Sequence, residues 1–507
     1  MKKLKIGVFF DGTGNNAYNT KKDIPESEKY FTKSTNKLNK YETDDQITND
    51  SFLKQLNEEF KLPRTYSSTE RSSNDSDYTN IWYLYQSYKT GSVNADTHQI
   101  KVYVEGVGTR KGHDDDYVTM ALAWSPFFFL HKTGCLNKVN DAIKQIREEL
   151  KSYFKKYPSL VFDDIEFCIF GFSRGATTAR HFSNMIKKKN KDIIHLFKEI
   201  SNHYTSISQK PTGSIEMLGI FDSVAAVLAL SQGSFNVHDS KTGSIDITLN
   251  KDMANYIFHI TAGHEIRYNF SLNGTSPNYN HELKFPGVHS DIGGSYRDKT
   301  DEHFFLSQPL YSEVHESIKN EDTDSFKKTK EKFDELMKHP HWGKILSLCA
   351  IEIKSWQKKM SGPFVLYGNA IFIKRYDIRT GINVIAFQTM RYYANKIGLA
   401  FSSLEDTEYS SIERIPDNLK KLNENAKLQV DKMFKGETVE SLIDNITAEL
   451  GNKYIHSSHF WDENPSKYIA SQHSFLDTIT LNLLLSNRPT DDDIRTEFDS
   501  YGKTLVE

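Results

Sequence analysis

Cysteine is scarce in this sequence. The three in 507 residues, Cys135, Cys168 and Cys349, are too far apart and odd in number for a disulfide framework or a CxxC zinc site. They read as small buried apolar side chains of a protein made in a reducing cytosol. An excess of one charge is also missing. Lys and Arg total 64 against 67 Asp and Glu, a net charge of -3, which excludes the basic footprint of a nucleic-acid binder. Long hydrophobic runs are absent too. No window offers the ~18 uninterrupted apolar residues of a membrane span, and the nearest, residues 118–130 (VTMALAWSPFFFL), is short and broken by Pro126. The opening MKKLKIGVFFDGTG starts like a signal peptide, but its apolar stretch ends at Asp11, short of the ~7–15 residues of an h-region. The chain is therefore expected to be synthesised in the cytoplasm without a signal peptide, and action elsewhere needs another route.

What the chain does have is a globular composition, 37% hydrophobic and 26% charged, with 32 Phe and 26 Tyr. That supply suits large cores and proteins that handle greasy ligands. Short apolar runs alternate with helix-like segments. Residues 4–10 (LKIGVFF), 101–104, 165–170 (IEFCIF), 216–221 (EMLGIF), 256–261 and 283–288 read as strands, the last weakened by Pro286. Nearly all-apolar runs of this length mark strands buried on both faces of a parallel sheet. Their alternation with helices over about 300 residues predicts an α/β fold, helices on both faces. Residues 17–77 are polar and read as a long loop or insertion. Beyond about residue 300, Lys/Glu-rich helical stretches (311–338 and 417–449) predict a mainly helical C-terminal lobe. The expected division is a catalytic domain over residues 1–298 and a lobe over residues 299–507, packed on that domain and closing it.

The chemistry-bearing motif is Gly171-Phe172-Ser173-Arg174-Gly175. A buried strand precedes it and a helix-like run follows. That strand–turn–helix setting is what a nucleophile elbow requires, and it makes the fold class an α/β-hydrolase with a mainly parallel sheet flanked by helices. Two glycines admit the sharp turn, so Ser173 projects its hydroxyl, and the Arg174 backbone N–H can face a developing oxyanion. A serine needs a general base held by an acid. In this fold the order is Ser, acid, His. Asp222 follows the strand EMLGIF and His289 lies in the glycine-rich FPGVHSDIGG loop. Asp291 is the alternative acid, and His456, in YIHSSH, the alternative base; His473 follows it. The second oxyanion donor is expected from Gly12 or Thr13, after the first strand. No GKS/GKT or complete G-x-G-x-x-G is present, so nucleotide binding is not expected. No metal site or cofactor is expected either, the run from His113 through Asp114, Asp115 and Asp116 reading as a solvated turn.

The ordered segments VFFDGTGNN, VYVEGVGT, GFSRGATTAR, GIFDSVAAV and FPGVHSDIGGSY, spread over residues 4–298, resemble the α/β-hydrolase domain family that includes the first family of type VI secretion lipase effectors. Arg174, Arg180, His264, Glu265 and Arg267 also fit that family's runs, whereas Ser295 stands where the family has a third glycine. The resemblance implies phospholipase A activity on membrane glycerophospholipids, with Ser173, Asp222 and His289 as the triad. It implies delivery into the periplasm of a target cell. The implied partners are that cell's phospholipid membrane surface, a secretion spike or adaptor protein, and a cognate immunity protein. A cytosolic esterase or peptidase, and an idle binding scaffold, are the competing readings. A lipase needs an apolar entrance, for which residues 118–130 and 382–401 are candidates against a core reading.

Overall fold

A computed structural model of the chain describes residues 2–20, 76–113, 133–203, 213–225, 244–461, 487–490 and 493–505. The apolar segment 118–130, the acidic run at 114–116, most of the polar insertion and His473 lie outside the described residues.

The strands of the first half are β1 (Lys3–Phe10), β2 (Gly91–Ser92), β3 (Thr97–Val104), β4 (Asp164–Phe172), β5 (Ser214–Phe221), β6 (Tyr256–Ala262), β7 (Leu272–Asn273) and β8 (Glu282–Phe285). Seven of them form one sheet in the order β2-β3-β1-β4-β5-β6-β8. All pairs are parallel except the edge pair of β2 with β3. The sequence reason is visible in β4. Ile165, Phe167 and Ile169 point into one core and Cys168, Phe170 and Phe172 into the other, so the run is apolar on both faces.

The first core is closed by helices α2 (Cys135–Lys156), α3 (Arg174–Lys187) and α4 (Lys191–Glu199), whose Ile143, Phe182 and Leu196 meet the sheet. Helix α1 (Asn80–Ser87) covers part of the second face. The rest is covered from beyond residue 299, by a helix over Ile382–Lys396. Its Ile385, Phe387, Met390 and Tyr393 are buried, and Tyr393 stacks on Phe258 of β6 with centroids 4.4 Å apart. This corrects the rim reading of residues 382–401. A sheet face lined by Phe170, Phe221 and Phe258 must be covered, and this segment is that cover.

The C-terminal half also contains a sheet the sequence pattern did not suggest. Strands β9 (Thr300–Phe305), β10 (Leu310–His315), β11 (Ala350–Lys359) and β12 (Phe364–Ile378) pair antiparallel in a four-stranded sheet. Residues 311–315 are therefore strand, and the helix expected from 311 starts at Asp324, capped by Thr323 accepting from the Phe326 N–H. A further helix, Lys420–Lys435, ends at Gly436, whose φ of 70° is the usual left-handed stop. From residue 300 on, the described residues hold more helix than strand. The chain finishes in β13 (Glu497–Phe498), paired parallel with β7. Among the described residues no helix is long and apolar enough to cross a membrane.

Candidate active site

Strand β4 delivers Ser173 at the point where α3 begins. Its φ of 59° and ψ of -128° are unusual for a residue with a Cβ, a conformation that costs of order 1–3 kcal/mol and persists only where the surroundings enforce it. They do so through close backbone contact. A Cβ on Gly175 would lie 2.3 Å from the Asp11 carbonyl oxygen and one on Gly171 2.6 Å from that of Gly175. Both glycines of the motif are thus needed for approach, and the helix start is pressed onto the end of β1. The Ser173 N–H donates to the Phe221 carbonyl at 3.1 Å, which ties the elbow to β5.

That approach brings the loop Asp11–Thr13 beside the nucleophile. Asp11 is buried and organises the loop. Its carboxylate accepts from Tyr103 Oη at 2.6 Å, Thr79 Oγ1 at 2.7 Å and the Gly12 N–H at 2.7 Å. Burial pushes its carboxyl up to about 6, against the opposing pull of those three donors. The Gly12 amide, expected as an oxyanion donor, is thus occupied by the Asp11 carboxylate. Thr13 follows on the same loop, and the Arg174 N–H is a first-turn amide with no partner inside its own helix. The buried Thr13 Oγ1 has no hydrogen-bond partner.

Asp222 directly follows β5, with φ 40°. His289 is the first residue of a short helix, His289–Gly293, that follows β8. His289 Nδ1 donates to Asp222 Oδ2 at 2.5 Å, which leaves Nε2 as the basic nitrogen. The imidazole sits over Phe172, the residue before the nucleophile, at 4.6 Å between centroids, with Phe270 edge-on at 4.9 Å. Ser173, Asp222 and His289 thus follow the C-terminal ends of β4, β5 and β8, where sheets of this kind place their sites.

Two expected residues pair elsewhere. His456 Nδ1 contacts Asp291 Oδ1 at 2.6 Å, and its backbone N–H donates to Asp291 Oδ2 at 3.1 Å. The alternative base and the alternative acid thus bond each other, and the His456 ring stacks on Tyr296. Asp291 Oδ2 also accepts from the Val288 N–H at 3.0 Å, so this pair pins the start of the helix that carries His289.

Sequence reasoning assigned nothing to Arg495. From the C-terminal tail its guanidinium donates to Asp222 Oδ1 at 2.7 Å and Oδ2 at 2.8 Å, while Nε reaches the Phe270 carbonyl at 2.7 Å. Burial works against an ionised Asp222, but Arg495 and then His289 overcome it and hold the carboxyl far below the usual range. Glu265, known only as part of a family-like run, accepts from the His289 N–H at 3.2 Å and from Ser458 Oγ at 2.9 Å. Arg267 grips its two oxygens at 2.9 Å each. Burial raises Glu265, and Arg267 outweighs it to bring the carboxyl down to about 2. For His289, burial lowers the imidazole and the Asp222 bond only partly restores it. Arg180, also in the family-like run, is structural here, its guanidinium donating to the Ile247 and Asn273 carbonyls at 2.7 Å.

Ser295 takes φ 88° directly after Gly294 at φ 86°, the left-handed region that favours glycine. Ser295→Gly should therefore raise stability by about 0.5–1 kcal/mol once the extra freedom of glycine in the unfolded chain is subtracted. Thermal unfolding of the two proteins measures this; an unchanged or lowered Tm would show that the hydroxyl contributes more than the strain costs.

Residues 66–207 and 187–316 match the family described as type VI secretion system phospholipase effector, Tle1-like, catalytic domain. Among solved structures, that of the Tle1 effector bound to the VgrG spike of the type 6 secretion system is similar over 98% of this chain and 94% of that one, with 23% identity and a TM-score of 0.70. At that identity the likeness bears on the fold. An uncharacterised protein from Pseudomonas aeruginosa aligns over 87% of this chain and 52% of its own, with 16% identity and a TM-score of 0.35, too loose to carry weight. No curated protein matches by sequence.

Proposed function

We propose that this chain, a type VI secretion phospholipase effector with a Tle1-like catalytic domain, is a serine carboxylic ester hydrolase of the phospholipase A type, acting through Ser173, His289 and Asp222. The observation that carries this reading is the strained serine at the end of β4 with a buried Asp–His pair beside it. In the reaction His289 Nε2 takes the Ser173 hydroxyl proton as Oγ attacks the acyl carbon. The Arg174 N–H and the Thr13 segment stabilise the oxyanion. The proton passes to the leaving lysophospholipid alkoxide, and water activated by the same nitrogen releases the fatty acid. Asp222 holds the imidazole tautomer and stabilises the imidazolium.

The Tle1 likeness supports a VgrG-type spike as the delivery partner. The target membrane and an immunity protein complete the set, with the periplasm of a target cell as destination. The reaction class is tested on phosphatidylethanolamine vesicles by mass spectrometry. Equal amounts of free fatty acid and lysophospholipid are expected. Diacylglycerol or phosphatidic acid as the product would place cleavage on the phosphate side and sink the ester assignment.

A further inference from the structure

We propose that Arg495 is a positioning residue of the catalytic triad, through which the docked C-terminal tail fixes Asp222 and sets the working basicity of His289. The inference rests on the triad reading above. Arg495 lies 273 positions from Asp222 in sequence yet occupies both carboxylate oxygens, and one of these, Oδ2, is the oxygen that receives His289 Nδ1. The tail is held for this contact by the β13–β7 pairing and by the Arg495 bond to the Phe270 carbonyl. A further bond to the Ala262 carbonyl at 3.2 Å closes the fork against the end of β6. Such a planar fork orients a carboxylate in a way a point charge does not.

The electrostatic consequence follows from sharing. An Asp222 charge neutralised by Arg495 attracts an imidazolium less strongly, so His289 gives up its proton at lower pH. Among the described residues the other charged groups near His289 are Glu265 and Arg267 from the loop after β6, which act in opposite directions on it, and the Asp291–His456 pair that bonds the start of its helix. Phe172 and Phe270 supply only apolar rings. Arg495 is thus the cation directly on the triad acid.

The test is the pH dependence of kcat/KM for a soluble short-chain ester, measured on the full chain and its Arg495→Met and Arg495→Lys variants well below their melting temperatures. The wild-type acid limb should lie below the ordinary histidine value of about 6.5. Arg495→Met should move it upward by about one pH unit and lower the alkaline plateau roughly tenfold. Arg495→Lys should keep the limb near wild type, because the cation remains, with a plateau reduced several-fold by loss of the fork. A folded Arg495→Met whose profile superimposes on wild type, or falls equally at all pH with no shift of the limb, overturns the proposal. Should Arg495→Met fail to fold, a Lys variant with wild-type plateau overturns it and a reduced plateau with an unmoved limb sustains it. His289→Ala on the same ester separates the two readings. If it turns over normally the triad itself is wrong; if it is dead while Arg495→Met is normal, only the role of Arg495 falls.

Discussion

Ser173→Ala should lower turnover of a short-chain ester by a factor on the order of 10³ to 10⁶ while leaving the fold intact. Removing one triad member discards the nucleophile pathway and leaves only binding and the oxyanion donors. The backbone at residue 173 is held by Gly171, Gly175 and the bond to Phe221, none of which involves the hydroxyl, so unfolding is not expected to obscure the result. His289→Ala should match the defect within about tenfold, because members acting as a unit do not add. His456→Ala should keep most activity at low temperature, since its ring bonds Asp291 and not Asp222. It should instead lower Tm, having freed a carboxylate that caps the catalytic helix. A fluorophosphonate probe gives a second readout, labelling wild type and failing on Ser173→Ala. Wild-type turnover in Ser173→Ala would remove this serine from the mechanism, and a dead His456→Ala beside an active His289→Ala would reverse the base.

The placement of the candidate site was legible because its proposed members sit where strands end. The run IEFCIF is apolar throughout since β4 is buried on both faces, and a GxSxG after such a strand has few other structural uses. Asp222 and His289 followed from chain order and from the strands before them. The lobe sheet was not legible. Strands β10 and β11 bury no residue fully, and β11 carries Glu352, Lys354, Lys358 and Lys359, so its period of two is masked by residue types that also populate helices. The segment 382–401 stayed open between core and rim for the opposite reason, since an apolar helix reads alike whether it covers a sheet or faces a lipid, and its burial decides for the core. The bond held by the Gly12 amide was not legible, because a backbone amide leaves no trace in the sequence of which acceptor claims it, here the side chain of the residue before. Arg495 was invisible on the same ground. Nothing local to TEFDS marks an arginine that will cross the fold to a carboxylate.

Asp222→Ala should cost about 3–5 kcal/mol of stability in addition to abolishing turnover. Breaking a buried ion pair by removing one partner strands the other. Here the Arg495 guanidinium would be left with the Ala262 and Phe270 carbonyls but no anion, in a site whose remaining neighbour from the triad is an imidazole. The Ala262 N–H would lose its acceptor as well, since it donates to Asp222 Oδ1 at 2.9 Å. The desolvation cost of Arg495 is then uncompensated, and the tail held by the short β13–β7 pairing should detach before the sheet unfolds. The double variant Asp222→Ala, Arg495→Met discriminates between a lost contact and a stranded charge. If the charge is the cause, adding Arg495→Met should recover roughly half or more of the lost stability, because the replacement is apolar and of similar length. Denaturant unfolding of the wild type, both single variants and the double gives the coupling energy directly. Strictly additive losses would mean that Asp222 and Arg495 stabilise the fold independently. The double variant should remain inactive in either case, since recovering the tail does not return an acceptor to His289 Nδ1.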